Sequence, residues 1–199
     1  LLITTSGQYS VVVTNTNNCV AKDTINITIV GSAPFANFSN SVGCLSSSVS
    51  FTDLSIPPIG NTIDSTIWDF GDLSSGAANT STLTNPSHTY TNTGTYTVKL
   101  KAITDAGCEQ TISKTVTVYP KPTANFSHGN TCQNDSTSFT SLSSSTAGYS
   151  ITALSWDFGD PVSGTANNSS LQQIKHLYNT QANYNIKLIA TNNLGCKDS

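Results

Sequence analysis

Residues 68–72 read "WDFGD", and residues 156–160 read "WDFGD" again. The chain has only two Trp in 199 residues, and both stand in this pentapeptide. The same 88-residue spacing separates Phe38 from Phe126, Cys44 from Cys132, His88 from His176, Tyr96 from Tyr184 and Cys108 from Cys196. "ANFS" at 36–39 returns as "ANFS" at 124–127 with no gap between. A fixed period held this long is the mark of a duplicated structural unit. Two copies are expected, 32–120 and 121–199, joined at "VYPKPTANF", where Pro120 and Pro122 make a short, stiff connector.

The first 31 residues carry part of a third unit. "GQYSVVVTNTNNC" (7–19) lines up with "GTYTVKLKAITDAGC" (94–108) and "ANYNIKLIATNNLGC" (182–196), allowing a length change of one or two residues. "KDTINITIV" (22–30) then matches "QTISKTVTVY" (110–119). Residues 1–31 therefore read as the C-terminal hairpin of a preceding domain of similar kind. By the same alignment the copy at 121–199 stops before its last strand, so both chain ends are expected to fall mid-domain.

Composition narrows the function classes. Only 10% of the residues are charged and the net charge is −3, which argues against the basic patches a nucleic-acid partner requires. Ser and Thr supply 59 residues, so the surface is hydrated by hydroxyls more than by ions. The abundance of Val, Ile, Tyr and Phe favours strands over helices. No run of 18 apolar residues marks a membrane span.

Alternation gives the local structure. In "TYTVKLKA" (95–102), Tyr96, Val98, Leu100 and Ala102 alternate with Thr97, Lys99 and Lys101, the period of a half-buried strand. Tyr184, Ile186, Leu188 and Ala190 repeat it, as do Tyr9, Val11 and Val13. Val49 and Phe51 share a face in "SVSFTDLS" (48–55), and Trp68 and Phe70 share one in "STIWDF" (65–70). About seven short strands per unit follow, with Gly, Asn, Ser and Pro between them, and no helix is expected. The fold class is all-β: tandem immunoglobulin-like sandwiches, with a Trp on the central strand and a Tyr opening a later one. Trp68, Trp156, Tyr96, Tyr184, Phe38 and Phe126 are the expected core residues.

"ANFS", "VSFTDLS", "WDFGD", "PSHTY" and "GTYTVKL" together resemble the PKD (polycystic kidney disease) domain, over both full units. The family usually continues WDFGDG, whereas here Leu73 and Pro161 follow, with longer loops at 73–86 and 161–174. The first hairpin is similar to the Ig-like repeats found beside PKD domains in large secreted and surface proteins of Bacteroidota, including gliding adhesins and substrates of type IX secretion. The resemblance implies an extracellular or cell-surface location. It also implies a structural role, as spacer or stalk repeats of a long adhesin or filament. The alternative is a polysaccharide- or protein-binding accessory module attached to a secreted enzyme. Expected partners are neighbouring repeats of the same chain or identical chains in a fibre, with a surface glycan or protein as a candidate ligand.

The two carboxylates of the motif invite an acid–base reading. Neither copy brings a nucleophile or a third ionisable group near them in sequence, and nothing marks them for perturbed pKa values. The expected role of Asp69, Asp72, Asp157 and Asp160 is to accept backbone N–H bonds at a strand-to-turn corner, where Gly71 and Gly159 permit positive φ. Calcium is the one candidate cofactor, since carboxylates are hard oxygen ligands and the resemblance includes PKD domains that bind it. His88 and His176 recur once per unit, and so read as structural. No catalytic residue is assigned.

Five cysteines stand at 19, 44, 108, 132 and 196 without a C-x-x-C pair, which suits disulfides in an oxidising compartment better than zinc. Spacing suggests pairs within each unit, Cys44–Cys108 and Cys132–Cys196. Sandwich topology suggests otherwise. Cys44 belongs at the pole where the chain leaves the unit and Cys108 at the pole where it arrives. Those poles lie roughly 20–25 Å apart along the strands, against the ~4.4–6.8 Å between Cα atoms that a disulfide needs. The outlet pole of one unit abuts the inlet pole of the next, which permits Cys44–Cys196 between domains and leaves Cys19, Cys108 and Cys132 to find partners outside this sequence. Both pairings stand as expectations. Finally, "DTI" (23–25), "DST" (64–66) and "DST" (135–137) fit an Asp-Ser/Thr-X acceptor pattern for O-glycosylation, with Thr24, Ser65 and Ser136 as candidates.

Overall fold

The structure is a computed structural model that describes residues 3–129 and 135–199. It opens with an antiparallel hairpin of β1 (Gly7–Thr14) and β2 (Val20–Ile27), in which Tyr9 faces Ile25 and Val13 faces Ala21. Both faces of this hairpin meet solvent: Val11, Val13 and Ile25 on one face and Val12 on the other are each more than half exposed. A two-stranded ribbon has no second layer against which to bury its apolar residues.

The first full unit contains β3 (Phe38–Asn40), β4 (Gly43–Cys44), β5 (Ser48–Asp53), β6 (Ile63–Asp69), β7 (Thr80–Ser81), β8 (Ser87–Thr89), β9 (Gly94–Thr104) and β10 (Glu109–Tyr119). They form two sheets, β3-β5-β8 and β4-β10-β9-β6-β7. Every pairing is antiparallel except β4 on β10, where Cys44 lies beside Tyr119 in parallel. The alternation read in β9 decides which face it buries: Val98, Leu100 and Ala102 are sealed from solvent while Thr97 and Lys99 point outward. Phe38, Val49 and Phe51 from one sheet meet Trp68, Val98, Leu100, Val116 and Val118 from the other. That is the two-layer burial of a sandwich.

The second unit repeats this plan with β11 (Phe126–His128), β12 (Ser136–Ser141), β13 (Ile151–Asp157), β14 (Asn168–Ser169), β15 (Gln173–Leu177), β16 (Lys187–Asn192) and β17 (Lys197–Asp198). Its sheets are β11-β12-β15 and β14-β13-β16-β17. Even the register is copied: Trp68 faces Leu100 and Trp156 faces Leu188. A register shift at Ile63/Ser65 recurs at Ile151/Ala153. One difference concerns the core. β10 adds Val116 and Val118 to the first core, whereas β17 is two residues long and adds none to the second. Phe126, expected in the core, is half-buried where Phe38 is sealed, and Ile186 is half-buried where Val98 is sealed.

Two short 3-10 helices, Leu73–Asn79 and Pro161–Asn167, correct the expectation of no helix. They fill the start of the long segments after WDFGD, each bent at a glycine with positive φ (Gly76 at 58°, Gly164 at 61°). Each delivers the chain to a two-residue strand that pairs back on the Trp strand, with Ser81 opposite Trp68 and Ser169 opposite Trp156. The segment that replaces the family's tight turn is thus an ordered return to the sheet edge.

Candidate functional sites: the WDFGD corner and the junction

Trp68, next to last in β6, is a core residue with no exposed surface, edge-on to Phe38 at 5.2 Å between ring centroids and tilted against Phe51 at 5.6 Å. A buried indole N–H needs an acceptor. It finds the Leu83 carbonyl at 2.9 Å, and Trp156 finds that of Leu171 at the same distance. The residues after it build the corner. Oδ1 of Asp69 accepts the Gly71 backbone N–H and the Asn79 side-chain amide, both at 2.9 Å, while Asn79 Oδ1 accepts the Asp72 N–H at 2.6 Å. Asp157, Gly159, Asn167 and Asp160 repeat all three bonds at the same distances. Asn79 and Asn167 are not legible as partners in the sequence, because the 3-10 helices that carry them back have no periodic pattern to mark them.

Glycine is obligatory at the centre of this corner. Gly71 has φ +70° and a Cβ there would stand 2.6 Å from the Thr97 carbonyl oxygen; at Gly159, with φ +68°, it would stand 2.5 Å from that of Asn185. The corner is therefore clamped directly on the backbone of the neighbouring segment.

The second aspartate has a different role from the first. Asp72 Oδ2 lies 3.1 Å from His88 Nε2, and its Oδ1 accepts the Ser74 hydroxyl at 2.5 Å. Asp160 and His176 form the same pair at 3.1 Å. This corrects the expectation that no third ionisable group joins the carboxylates: the β-sandwich brings β8 across to supply one. Each histidine also stacks on the motif phenylalanine, His88 on Phe70 and His176 on Phe158, both at 4.6 Å. Burial pushes the Asp72 carboxyl up, but the bonds from Ser74 and His88 together with the charge of His88 outweigh it and hold the group below its ordinary value.

An Asp, a His and a Ser in contact suggest a triad, and the geometry refuses it. Ser74 and His88 bond to the two oxygens of one carboxylate, so the imidazole does not serve the hydroxyl as base. The pair is also sealed: the side chains of Asp72 and His88 are each 4% exposed. The second copy has Val162 where the first has Ser74. As calcium ligands the carboxylates fare no better. Asp72 gives both oxygens to donors inside the protein, and Asp69 and Asp157 each give one oxygen to two donors. Among the described residues no three His, Cys, Asp or Glu come together as a metal-holding group.

Tyr90 and Tyr178 close the corner from below, each donating its hydroxyl to the carbonyl of the motif phenylalanine at 3.1 Å. Burial and the nearby Asp160 charge push the Tyr178 phenol up to about 12, and burial with Asp72 pushes Tyr90 higher still. Tyr96 and Tyr184 stack against them at 4.1 Å and remain half-buried. Each donates to a carbonyl four residues upstream, Asn92 and Thr180, at 2.9 Å, and Tyr9 does the same to Thr5 at 2.7 Å. That is the tyrosine corner of immunoglobulin-like strands, present in all three hairpins.

At the junction between the full units, Cys44 and Cys196 are joined by a disulfide with Cα atoms 5.6 Å apart. This overturns the pairing within units: Cys44 does not bond Cys108, which carries a free thiol, and Cys196 is not available to Cys132. The reason is the strand length separating the two poles of a sandwich. Cys132 itself lies outside the described residues. Cys19 is free and exposed. Two further contacts cross the junction: Asn192 donates to the Pro120 carbonyl at 3.1 Å, and Tyr119 meets Tyr149 edge-to-face at 6.3 Å. Thr24, Ser65 and Ser136 all sit exposed on strands β2, β6 and β12.

Two immunoglobulin-like sandwiches in tandem, with motif residues consumed in bracing a corner and a covalent tie between poles, define a class of tandem β-sandwich modules. The PKD domain family profile matches residues 31–118 and again 119–199, and the chain belongs to that family. Among solved structures it is similar to the PKD1 domain of Vibrio anguillarum Epp, with 33% identity over 45% of this chain and 98% of that one (TM-score 0.39). The PKD1 domain from Vibrio cholerae metalloprotease PrtV is 35% identical over 43% and 96% (TM-score 0.37). The fibronectin(III)-like modules of Clostridium thermocellum CbhA are 13% identical over 82% and 90% (TM-score 0.44). PKD domains occur in extracellular proteins as spacer or accessory modules, including in secreted proteases, and are typically not catalytic. Among the described residues no helix is long and apolar enough to cross a membrane.

Proposed function

We propose that the chain is a rigid spacer: a pair of PKD sandwiches locked end to end within a cell-surface adhesin or filament. The observation that carries this is the Cys44–Cys196 bond across the junction. A Pro-containing connector alone keeps its residues extended but leaves a hinge at either end. A second covalent tie, set beside the Asn192–Pro120 hydrogen bond and the Tyr119–Tyr149 contact, removes that hinge. Closing a loop of 152 residues also limits the unfolded chain, by about 5 kcal/mol on the chain-entropy model.

The two Trp support a structural role over glycan binding. A sugar platform needs an exposed ring, and both Trp are wholly buried. The adhesin context draws on the likeness of the first hairpin to repeats of Bacteroidota surface proteins, where Thr24, Ser65 and Ser136 would be open to glycosylation.

Small-angle scattering tests the spacer. The oxidised chain is expected to fit one rigid elongated particle, whereas Cys44→Ser/Cys196→Ser is expected to need an ensemble of inter-domain angles. Equal flexibility in the two proteins would overturn the reading.

A further inference from the structure

We infer that Cys108 is the receiving half of a second inter-unit disulfide, formed with a Cys44-type cysteine on a PKD unit packed against the inlet pole of residues 32–120. This rests on the spacer reading and extends it from one junction to a repeating one.

Three hairpins of the chain carry a cysteine in the same turn. At Cys196, the Asn192 N–H donates to the Cys196 carbonyl at 3.0 Å, and the Cys196 N–H donates to Asn192 Oδ1 at 3.0 Å. At Cys108, Thr104 makes both bonds, with its N–H to the Cys108 carbonyl at 2.9 Å and its hydroxyl accepting the Cys108 N–H at 3.1 Å. At Cys19, Asn15 makes them at 3.0 and 2.9 Å. The residue before each cysteine has positive φ: Gly195 at 82°, Gly107 at 76° and Asn18 at 61°. The turn that presents Cys196 to a neighbouring unit is thus also the turn that presents Cys108.

A second observation concerns what lies against Cys108. Gly31 stands five residues before "ANFS", as Tyr119 does before the second "ANFS". A Cβ on Gly31 would be 3.2 Å from the Cys108 sulfur and 3.0 Å from Ala106 Cβ. The chain arriving at the first full unit therefore passes directly beside this thiol. Tyr119 is the residue that Cys44 pairs with in parallel. The strand position next to Gly31 is accordingly where a Cys44-type residue of an adjoining unit would come, within reach of Cys108. Cys108 is half-buried with a free thiol, and Cys44 is already committed to Cys196.

The chemistry is thiol–disulfide exchange. One Sγ–Sγ bond forms, two thiol protons leave, and two electrons pass to a small-molecule disulfide oxidant that is reduced to two thiols.

The test duplicates residues 36–123 in tandem within the full chain, so that the native "YPKPT" connector joins the copies, and carries Cys108→Ser in the first copy. After refolding in a glutathione redox buffer and alkylation of free thiols, non-reducing tryptic mapping reads the bonds. The Cys44 peptides of the two copies differ, because one begins after Lys22 and the other after Lys114. The expected result is first-copy Cys44 bonded to second-copy Cys108, beside second-copy Cys44 bonded to Cys196. That second bond is the internal control for folding. Recovery of Cys108 as the alkylated thiol while the 44–196 bond persists overturns the inference and leaves the spacer intact. A bond from Cys108 to Cys44 of its own copy overturns it as well. Absence of both expected bonds overturns the spacer reading and the inference with it.

Discussion

Asp72 and His88, 16 residues apart in sequence, form a 3.1 Å carboxylate–imidazole contact inside the sandwich, and Asp160 and His176 repeat it. The pair links the end of the Trp strand to β8 in the opposite sheet, beneath a corner that every residue of WDFGD helps to hold. It has a pH signature. The Asp72 carboxyl is held below its ordinary value, so its contribution to stability is complete above the usual carboxylate range, near pH ~4. That contribution is lost as pH falls through the lower folded value. Asp72→Asn is expected to flatten the acid limb of the stability curve, measured as denaturant midpoints between about pH 2 and pH 6. An unchanged slope would show that the pair carries no linked stability.

The buried phenols act at the other end of the scale. Tyr178 titrates only at about 12 in the folded chain. A pKa raised above the unfolded value of ~10 means stability that is whole below pH ~10 and lost as pH climbs through the folded value. Ultraviolet titration of tyrosinate is expected to show Tyr90 and Tyr178 ionising together with loss of near-ultraviolet dichroism. Reversible ionisation of all seven tyrosines in the folded chain would contradict this.

Gly71→Ala sets a steric test of the corner. The new Cβ meets the Thr97 carbonyl oxygen at 2.6 Å and the residue keeps a positive φ, a backbone cost of about 1–2 kcal/mol before the clash is counted. Gly76 also has positive φ, yet its Cβ would meet nothing within 4 Å. Gly76→Ala, at φ 58° and ψ −124°, is therefore expected to cost about 1–3 kcal/mol from the backbone alone, and Gly71→Ala distinctly more once its clash is added, read from urea unfolding. Equal costs would mean that the close approach to Thr97 is not enforced.

Truncating the Trp separates packing from polar satisfaction. Trp68→Ala is expected to destabilise by about 3–5 kcal/mol through the cavity it leaves. Trp68→Phe keeps much of the apolar volume and removes the indole bond to the Leu83 carbonyl, which retains the Thr66 hydroxyl as a donor at 3.4 Å, at a cost of about 0.5–1.5 kcal/mol. In the unaltered chain both Trp should emit at short wavelength and resist quenching by acrylamide or by added polysaccharide. Quenching by polysaccharide would favour a glycan-binding role.

Much of this architecture is legible in the residues. The offset shared by Trp68 and Trp156 yields the duplication, and the alternation through Val98, Leu100 and Ala102 yields the buried face of β9. Both are local patterns in one stretch of chain. The 3-10 helices were not legible, because their segments carry neither helical periodicity nor a hydrophobic face. Phe126 matches Phe38 in sequence but not in burial, since burial depends on which side chains cover a position from other strands.

The sequence by itself determined the repeat, the strand faces, the Trp pins and the placement of the strand tyrosines, since each follows from spacing and side-chain type along a single strand or turn. Only the tertiary structure decided which groups meet across the sandwich and across the junction. Asn79 reaches Asp69 because the chain doubles back through a 3-10 helix. His88 reaches Asp72 because two sheets face each other. Cys44 chooses Cys196 over Cys108 because the poles of adjacent domains are closer than the two poles of one. Distance in space, set by the length and stacking of strands, selected among partners that the order of residues left equal.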